Sequence, residues 1–489
     1  MNSPALDNAP KILVAGAAGY MGRRLKTRLL NEKKVHLRLL VRDARQMSVS
    51  TRSAAEIVEG DILNREVVRK AVDGIGVVYF PIRFFGAVWE SEGFDGAAVR
   101  MFRDTCIEAG VRRLIYVSLN VVENDSIGLL KSVVETGRIL SERPEEIQTV
   151  WFRAGVLVGS GSVMFELVRN VVQKIPLILC SRWMDEVMTP VSVDDVLEYL
   201  VQAKDIQVEG NLTVDVGSEQ MSFREMLKAA TRIMGLQRVF VTLPLSARRL
   251  SSFLLMLASP FSFALSSALI RALQSGEIRP SSSADGTAAL HYFPGIIPVA
   301  FDKAMEKAMT EIENDYVMSR WVDTLEKTFY VSSEEDVARA VFRDMKCMSF
   351  GDVPSHRIFR AIKSIGGRKG WFTFDFLWRI RGLLDKLGGG YGTAMGKRSF
   401  SDLRVGDMLD VWRVIDLREN RRLLLEAQMK VFGKAWLEFT IEGNTLTQVA
   451  YHYPKGILGR LYWYAMLPFH VFIFRDMIRS IIQRAHEMD

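Results

Sequence analysis

The sequence predicts an α/β fold built on a doubly wound parallel sheet, followed by a separate α+β region with an antiparallel sheet and a long C-terminal helix. Three observations carry this. From Lys11 to about Glu219, apolar runs of strand length alternate with helical patterns. A glycine-rich turn joins the first run to the first helix. From about Ser332, consecutive strand patterns replace the alternation.

Taken in order, the first strands are expected at Ile12–Ala15, Leu37–Val41, Glu56–Val58, Val77–Phe80, Leu114–Val117 and Thr149–Phe152. Between Met188 and Leu200, the string TPVSVDDVLEYL reads as a short strand or loop, a cap at Ser192 or Asp194, and a helix. A strand at Leu212–Val216 precedes a capped helix, Ser222–Ala230. The apolar stretch 243–273 is too interrupted by Ser and Pro for a membrane span, and predicts two packed helices, with contact to a membrane surface as the other reading. Ser281–Gly286 reads as a loop. The second region predicts a strand at Ala340–Ser349, a helix near Ser355–Ser364, a turn at Gly366–Trp371 and a helix through Leu387. A glycine-rich loop follows, then strands at Met408–Asp416, Arg422–Lys430, Ala435–Glu442 and Leu446–Tyr453, and a helix Leu458–Glu487 kinked at Pro468. Three parts are expected: a nucleotide-binding domain over 1–240, a helical extension over 241–331 and an α+β domain over 332–489.

The 489 residues are 48% hydrophobic and 25% charged, enough for two or three cores, and the net charge of +7 suits anionic ligands or weak contact with an acidic membrane surface. No basic block points to nucleic acid. The cysteines Cys106, Cys180 and Cys347 lie far apart without metal-ligand spacing, so neither a disulfide framework nor a metal site is expected. The short polar lead before Lys11 lacks an apolar signal segment, and the expected location is the cytoplasm, with a membrane-peripheral one as the alternative.

The string KILVAGAAGYMGRRL places Gly16, Gly19 and Gly22 at the strand–helix junction. Gly16 permits the tight turn, Gly19 lets backbone approach a pyrophosphate, and Gly22 allows close packing of helix on strand. The N–H groups of the helix start, at Tyr20 and Met21, then face the phosphates. Where an acidic residue would hold the ribose of NAD, the second strand ends in Val41-Arg42, and a guanidinium suits the 2′-phosphate of NADP(H). Asp43 is placed to neutralise Arg42, while Arg23 and Arg45 are placed to supplement it. Asp61, followed by Ile62, suits an adenine amino group or a helix cap, and Phe80 ends the fourth strand beside the expected cofactor.

Through GAAGYMG, VR, GD and RLIYVS, residues 11 to about 310 resemble the atypical and extended short-chain dehydrogenases, close to the NmrA-like members with their Rossmann-type domain. RAGVLVGSGS, PVSVDDVLEYL and VGSEQMSFREML are similar to substrate-half motifs of that family. GGRKGWFTFDFLWRIRGLLDKLGGG, DLRVGDMLDVWRV and GILGRLYWYAMLPFH resemble an uncharacterised domain fused to such reductases in bacteria, similar in turn to START or polyketide-cyclase helix-grip folds. The resemblance implies a Ser, a Tyr and, four residues on, a Lys as the proton-transfer set. Ser118 stands at the Ser region, but Leu129 and Val133 occupy the Tyr and Lys positions. Lys131 and Ser132 are the nearest substitutes, against a solvated helix face for Lys131. Tyr116 reads as a core residue, and Arg83, Asn120 and Glu135 are further polar candidates.

In the second region His452, His470, Trp371 and Arg379 stand on an apolar background, and the histidines read as packing residues or as proton donors in a cavity. The stripe Leu461–Tyr464 with Phe469–Phe474 reads as core or as the wall of a hydrophobic pocket. The sequence thus predicts an NADP(H)-dependent oxidoreductase acting on an apolar small molecule. A non-catalytic NADP(H)-binding sensor or assembly factor and a hydrophobic-ligand carrier are the alternatives.

Overall fold

The computed structural model describes residues 10–488, except 33–34, 81–95, 122–127, 243–247, 260, 275–286, 315–316, 322–336, 368–369, 372–374, 388–391, 393–402 and 430. The chain divides into two compact units, Met1–Ser259 with Leu265–Lys327, and Pro260–Ala264 with Thr328–Asp489.

In the first unit, β1 (Lys11–Ala15), β2 (His36–Val41), β3 (Glu56–Glu59), β4 (Val77–Tyr79), β5 (Arg113–Leu119), β6 (Gln148–Ala154) and β7 (Leu212–Val216) form one seven-stranded sheet. All its pairings are parallel, in the order β3-β2-β1-β4-β5-β6-β7. This is the Rossmann arrangement. The order reverses between β1 and β4, and the crevice that reversal opens at the carboxyl ends of the strands is where such sheets bind ligands. The apolar runs are explained by burial on both sheet faces: Val14, Ile115 and Val150 on one face and Leu13, Val78 and Leu114 on the other are all buried. Arg113 opens β5 and donates to the carbonyls of Ala203, Lys204 and Ile206, satisfying acceptors that the end of helix Val193–Ala203 leaves open.

Each strand run predicted from Ile12 to Phe152 falls on β1 to β6. Ser192 rather than Asp194 caps helix Val193–Ala203, and Ser222 with Glu225 forms a capping box on helix Phe223–Ile233. Helices Arg248–Ala258 and Phe263–Gln274 stand where two were expected. The sequence reading passed over two short parallel pairs, Val156–Val158 with Pro190–Ser192 and Leu177–Cys180 with Val239–Thr242. Such short strands are defined by their pairing, not by any periodicity of their own. The loop expected at 281–286 lies outside the described residues.

In the second unit β8 (Phe342–Ser349), β9 (Met408–Leu409), β10 (Trp412–Arg418), β11 (Arg422–Ala427), β12 (Gly433–Glu442) and β13 (Thr445–Pro454) form an antiparallel sheet ordered β8-β13-β12-β11-β10-β9. One face, with Leu423, Leu425, Leu437 and Phe439, packs with Ile358 and Ile362 of helix Ser355–Lys363 and with Met477, Ile478 and Ile481 of the terminal helix Gly456–Glu487. The strand expected over Met408–Asp416 is in fact two strands, because Asp410 takes a left-handed conformation (φ 55°) and turns β9 back against β10. The strand expected to reach Lys430 stops at Ala427, where Gln428 N turns to Val411 O. The terminal helix Gly456–Glu487 continues through Pro468.

Candidate functional site

Gly16 takes φ +68°, a left-handed turn that drops the chain off β1. Gly19 N donates back to Gly16 O at 3.0 Å, and Gly19 becomes the N-cap of helix Tyr20–Asn31 with no side-chain cap and no acidic residue in the first turn. Arg23 N is the first to reach an intrahelical acceptor, Gly19 O at 2.9 Å, so the N–H groups of Tyr20, Met21 and Gly22 project from the helix start. A Cβ on Gly22 would lie 2.3 Å from Gly16 O and 2.8 Å from Ala17 Cα, so hydrogen alone fits. The result is a positively polarised cradle with backbone donors.

The surrounding side chains hold this turn from behind. Met21 is buried, and Tyr20 is buried with its hydroxyl donating to Ser160 O at 3.2 Å; burial pushes its phenol up to about 12. Any contact of these two residues with a ligand in the cradle therefore runs through their backbone. Arg23, placed by the sequence as a supplement to Arg42, is buried and donates to Ala18 O at 2.6 Å. Arg24 donates to Ser160 O at 2.8 Å, to Ser160 Oγ at 2.9 Å and to Ser319 Oγ at 3.0 Å, and Ser160 Oγ in turn donates to Glu311.

Past the ends of β2 and β3, Arg42 lies with its Nε 3.5 Å from Asp61 Oδ2, and its side chain stays 34% exposed. The neutralising partner is thus Asp61, not Asp43. Asp43 instead chelates Arg45, which corrects the expected role of both. Asp61 Oδ1 accepts from Leu63 N, Ile62 is partly buried beside it, and the cap of helix Arg65–Val72 is Asn64. Phe80 closes the edge of β4, buried edge-on against Phe102 and Tyr116.

Ser118 is fully buried in β5. Its hydroxyl accepts from Trp151 Nε1 at 2.8 Å and donates to Leu119 O at 3.2 Å, so both of its roles are filled. Trp151 fits only because Gly137 leaves room, since a Cβ there would come within 2.4 Å of the indole. Tyr116 is core, as expected, and donates to Val133 O; Val133, at the Lys position, is buried. Lys131 falls on helix Gly128–Leu140, and its side chain, like that of Leu129, lies outside the described residues, as does Arg83. Asn120 is buried and Glu135 partly buried. The sequence reading missed Arg153 and Asp215, register partners at the carboxyl ends of β6 and β7 joined at 2.6 Å. A lone arginine in the apolar run TVWFRAGV was the signal.

In the second unit, His452 is buried with Nε2 at 3.2 Å from Gly459 O and its ring stacked on Trp463. His470 Nδ1 lies 3.9 Å from Asp344, which Lys346 also pairs, and burial pushes His470 down to about 4. Trp371 is buried and donates to Asp410 at 2.9 Å, while the side chain of Arg379 lies outside the described residues. Among the described residues no group of three His, Cys, Asp or Glu is gathered as a metal site.

Comparison with known proteins matches residues 16–142 to an NAD(P)H-binding family and residues 337–477 to a protein family of unknown function, DUF2867. Similar solved structures include a UDP-glucose 4-epimerase from Thermotoga maritima with UDP-glucose, 15% identical, with a TM-score of 0.47 over 62% of this chain and 99% of that one. A nucleoside-diphosphate-sugar epimerase from Staphylococcus aureus is 13% identical, with a TM-score of 0.49 over 60% and 99%. A UDP-glucuronic acid 4-epimerase from Bacillus cereus with UDP-glucuronic acid and NAD is 18% identical, with a TM-score of 0.47 over 63% and 100%. Residues 16–142 are accordingly an NAD(P)H-binding domain on a Rossmann-type sheet, in a chain whose residues 337–477 match a family without an assigned function.

Proposed function

We propose that this chain is an NADP(H)-dependent oxidoreductase of the atypical short-chain dehydrogenase type, acting on an apolar small molecule. The observation that carries the reading is the cradle formed by Gly16, Gly19 and Gly22, where a Cβ at position 22 would strike backbone at 2.3 Å. A nicotinamide cofactor supplies hydride when bound. The chain's own residues bind and orient it. The N–H groups of Tyr20, Met21 and Gly22 receive the pyrophosphate, Arg42 the 2′-phosphate and Asp61 the adenine amino group, with Ile62 and Phe80 as apolar walls. Arg42 supports NADP(H) over NAD(H), because its guanidinium is partly exposed beyond β2 where a carboxylate would otherwise take the ribose hydroxyls. Ser118 is held by Trp151 and Leu119, so proton delivery falls to Lys131 or to water. The C-terminal unit, a sheet gripping a helix in the manner of START-type folds, binds or delivers the apolar substrate.

The engaged hydroxyl of Ser118 and the buried Val133 favour a second reading, a non-catalytic NADP(H)-binding sensor. Calorimetric titration with NADPH and NADH tests the cofactor. Arg42→Ala is expected to weaken NADPH about tenfold and leave NADH nearly unchanged, the size of one charge-assisted hydrogen bond. Equal loss for both cofactors would remove the NADP(H) assignment. NADPH oxidation over a panel of apolar ketones and enones separates the readings: turnover supports the enzyme, and tight binding without turnover supports the sensor.

A further inference from the structure

The terminal helix Gly456–Glu487 packs an inner stripe against the rest of its unit. Gly459, Trp463, Phe474, Ile478 and Ile481 are buried, Phe342 of β8 stacks on Trp463 at 5.4 Å, and a Cβ on Gly459 would meet Phe432 O at 2.3 Å. The opposite stripe changes chemistry halfway along. At helical spacing it reads Ile457, Leu461, Tyr464, Pro468 and Phe472, all exposed, and then Arg475, Arg479, Gln483 and His486, also exposed. The second half is an ordinary solvated face. In the first half, Ile457, Leu458, Leu461, Tyr464, Phe469 and Phe472 are 46–77% exposed. The helix is long and apolar enough to cross a membrane, yet most of its apolar stretch is not buried within the protein.

A second helix of the same unit repeats the inversion. In Asp375–Leu387 the residues Ile380, Leu383, Leu384 and Leu387 form one helical stripe and are 49–59% exposed, whereas Gly382, Asp385 and Lys386 are buried. A water-facing helix orders its residues the other way.

The geometry points to a lipid bilayer surface as the occupant: the C-terminal unit docks on anionic membrane through the Ile380–Leu387 stripe and the outer face of residues 457–472. Charge favours lipid. No Asp or Glu occurs from Lys455 to Arg475, while Lys455, Arg460 and Arg475 are exposed along it. That pattern suits anionic headgroups, with Tyr464 at the interfacial depth where amphipathic rings settle. A second copy of this chain would bring the same cations against one another about a two-fold axis. Because the inner stripe stays packed on β8 and β13, the helix lies along the surface and does not span it.

The test is flotation of the full chain with vesicles of phosphatidylcholine alone and of phosphatidylcholine with phosphatidylglycerol, and it does not depend on the cofactor assignment. Binding to the anionic vesicles is expected to exceed binding to the neutral ones about tenfold or more. Leu461→Asp with Phe472→Asp, and separately Leu383→Asp with Leu384→Asp, are each expected to reduce it about tenfold without lowering the melting temperature, since the replaced side chains are exposed. Two independent pairs keep the test decisive if one fails to fold. Absence of wild-type flotation, or flotation unchanged by both pairs, overturns the proposal. So does a stable dimer in solution that the first pair dissociates while vesicles bind neither form.

Discussion

Gly22 shows how one missing methyl group shapes a site. A Cβ at 2.3 Å from Gly16 O presses on backbone, which cannot rotate away as a flexible side chain does. Gly22→Ala is therefore expected to push the first helix off the turn, destabilise the protein by about 1–3 kcal/mol and weaken cofactor binding more than tenfold. Thermal melting and calorimetric titration check the two parts. A titration of His470 gives a second prediction at this scale. Burial is the main cause of its lowered pKa, opposed by Asp344, and Lys346 and His452 lower it further. The folded protein keeps the ring neutral down to about pH 4, whereas the unfolded chain protonates it near the ordinary 6.5. The unfolded state thus binds more protons between these values, and stability falls as pH drops through that window, by about 1.4 kcal/mol per pH unit. Urea unfolding of the C-terminal unit at pH 7 and pH 5 measures the slope. His470→Phe is expected to flatten it, and an unchanged slope would assign the effect to another group.

At the scale of elements, the turn between β9 and β10 depends on Asp410. This residue holds a left-handed backbone that Asp tolerates better than most side chains, and its carboxylate accepts from Gly367 N and Trp371 Nε1. It thereby ties Gly367 and Trp371 to the edge of the sheet. Asp410→Ala leaves the buried indole N–H and a backbone N–H without this acceptor, and is expected to cost about 2–3 kcal/mol. Denaturant unfolding followed by tryptophan fluorescence measures it. Asp410→Asn, which keeps an acceptor and the same backbone tolerance, is expected to recover about half or more of that loss. Periodicity made most elements legible here, but it read β9 and β10 as one strand. Nothing in the apolar pattern of MLDVWRV marks a reversal at Asp410, because its carboxylate is bound by Gly367 and Trp371, 43 and 39 positions away in the chain.

At the scale of the whole molecule, Arg24 joins parts of the first unit that are far apart in sequence. Its guanidinium reaches Ser160 just past the short strand Val156–Val158 and, 295 positions away, Ser319, and it faces Glu311 at 4.0 Å. Arg24→Met removes these bonds while keeping most of the buried stem. The expected loss is about 2–4 kcal/mol by urea unfolding, with weakened cofactor binding as the helix start loosens. Sequence alone determined the alternation of strands and helices, the glycine turn and the absence of the Tyr and Lys from the helix after β5. Those features are local: a period of two or of 3.6 and a run of glycines are read within one turn or one strand. Only the tertiary structure decided that Asp61 rather than Asp43 meets Arg42, that Trp151 occupies the hydroxyl of Ser118, and that Leu383, Leu384 and Leu387 of helix Asp375–Leu387 face outward. Each of these depends on which distant segments become neighbours. Burial and register over the whole chain set that choice, and the spacing within any one segment does not record it.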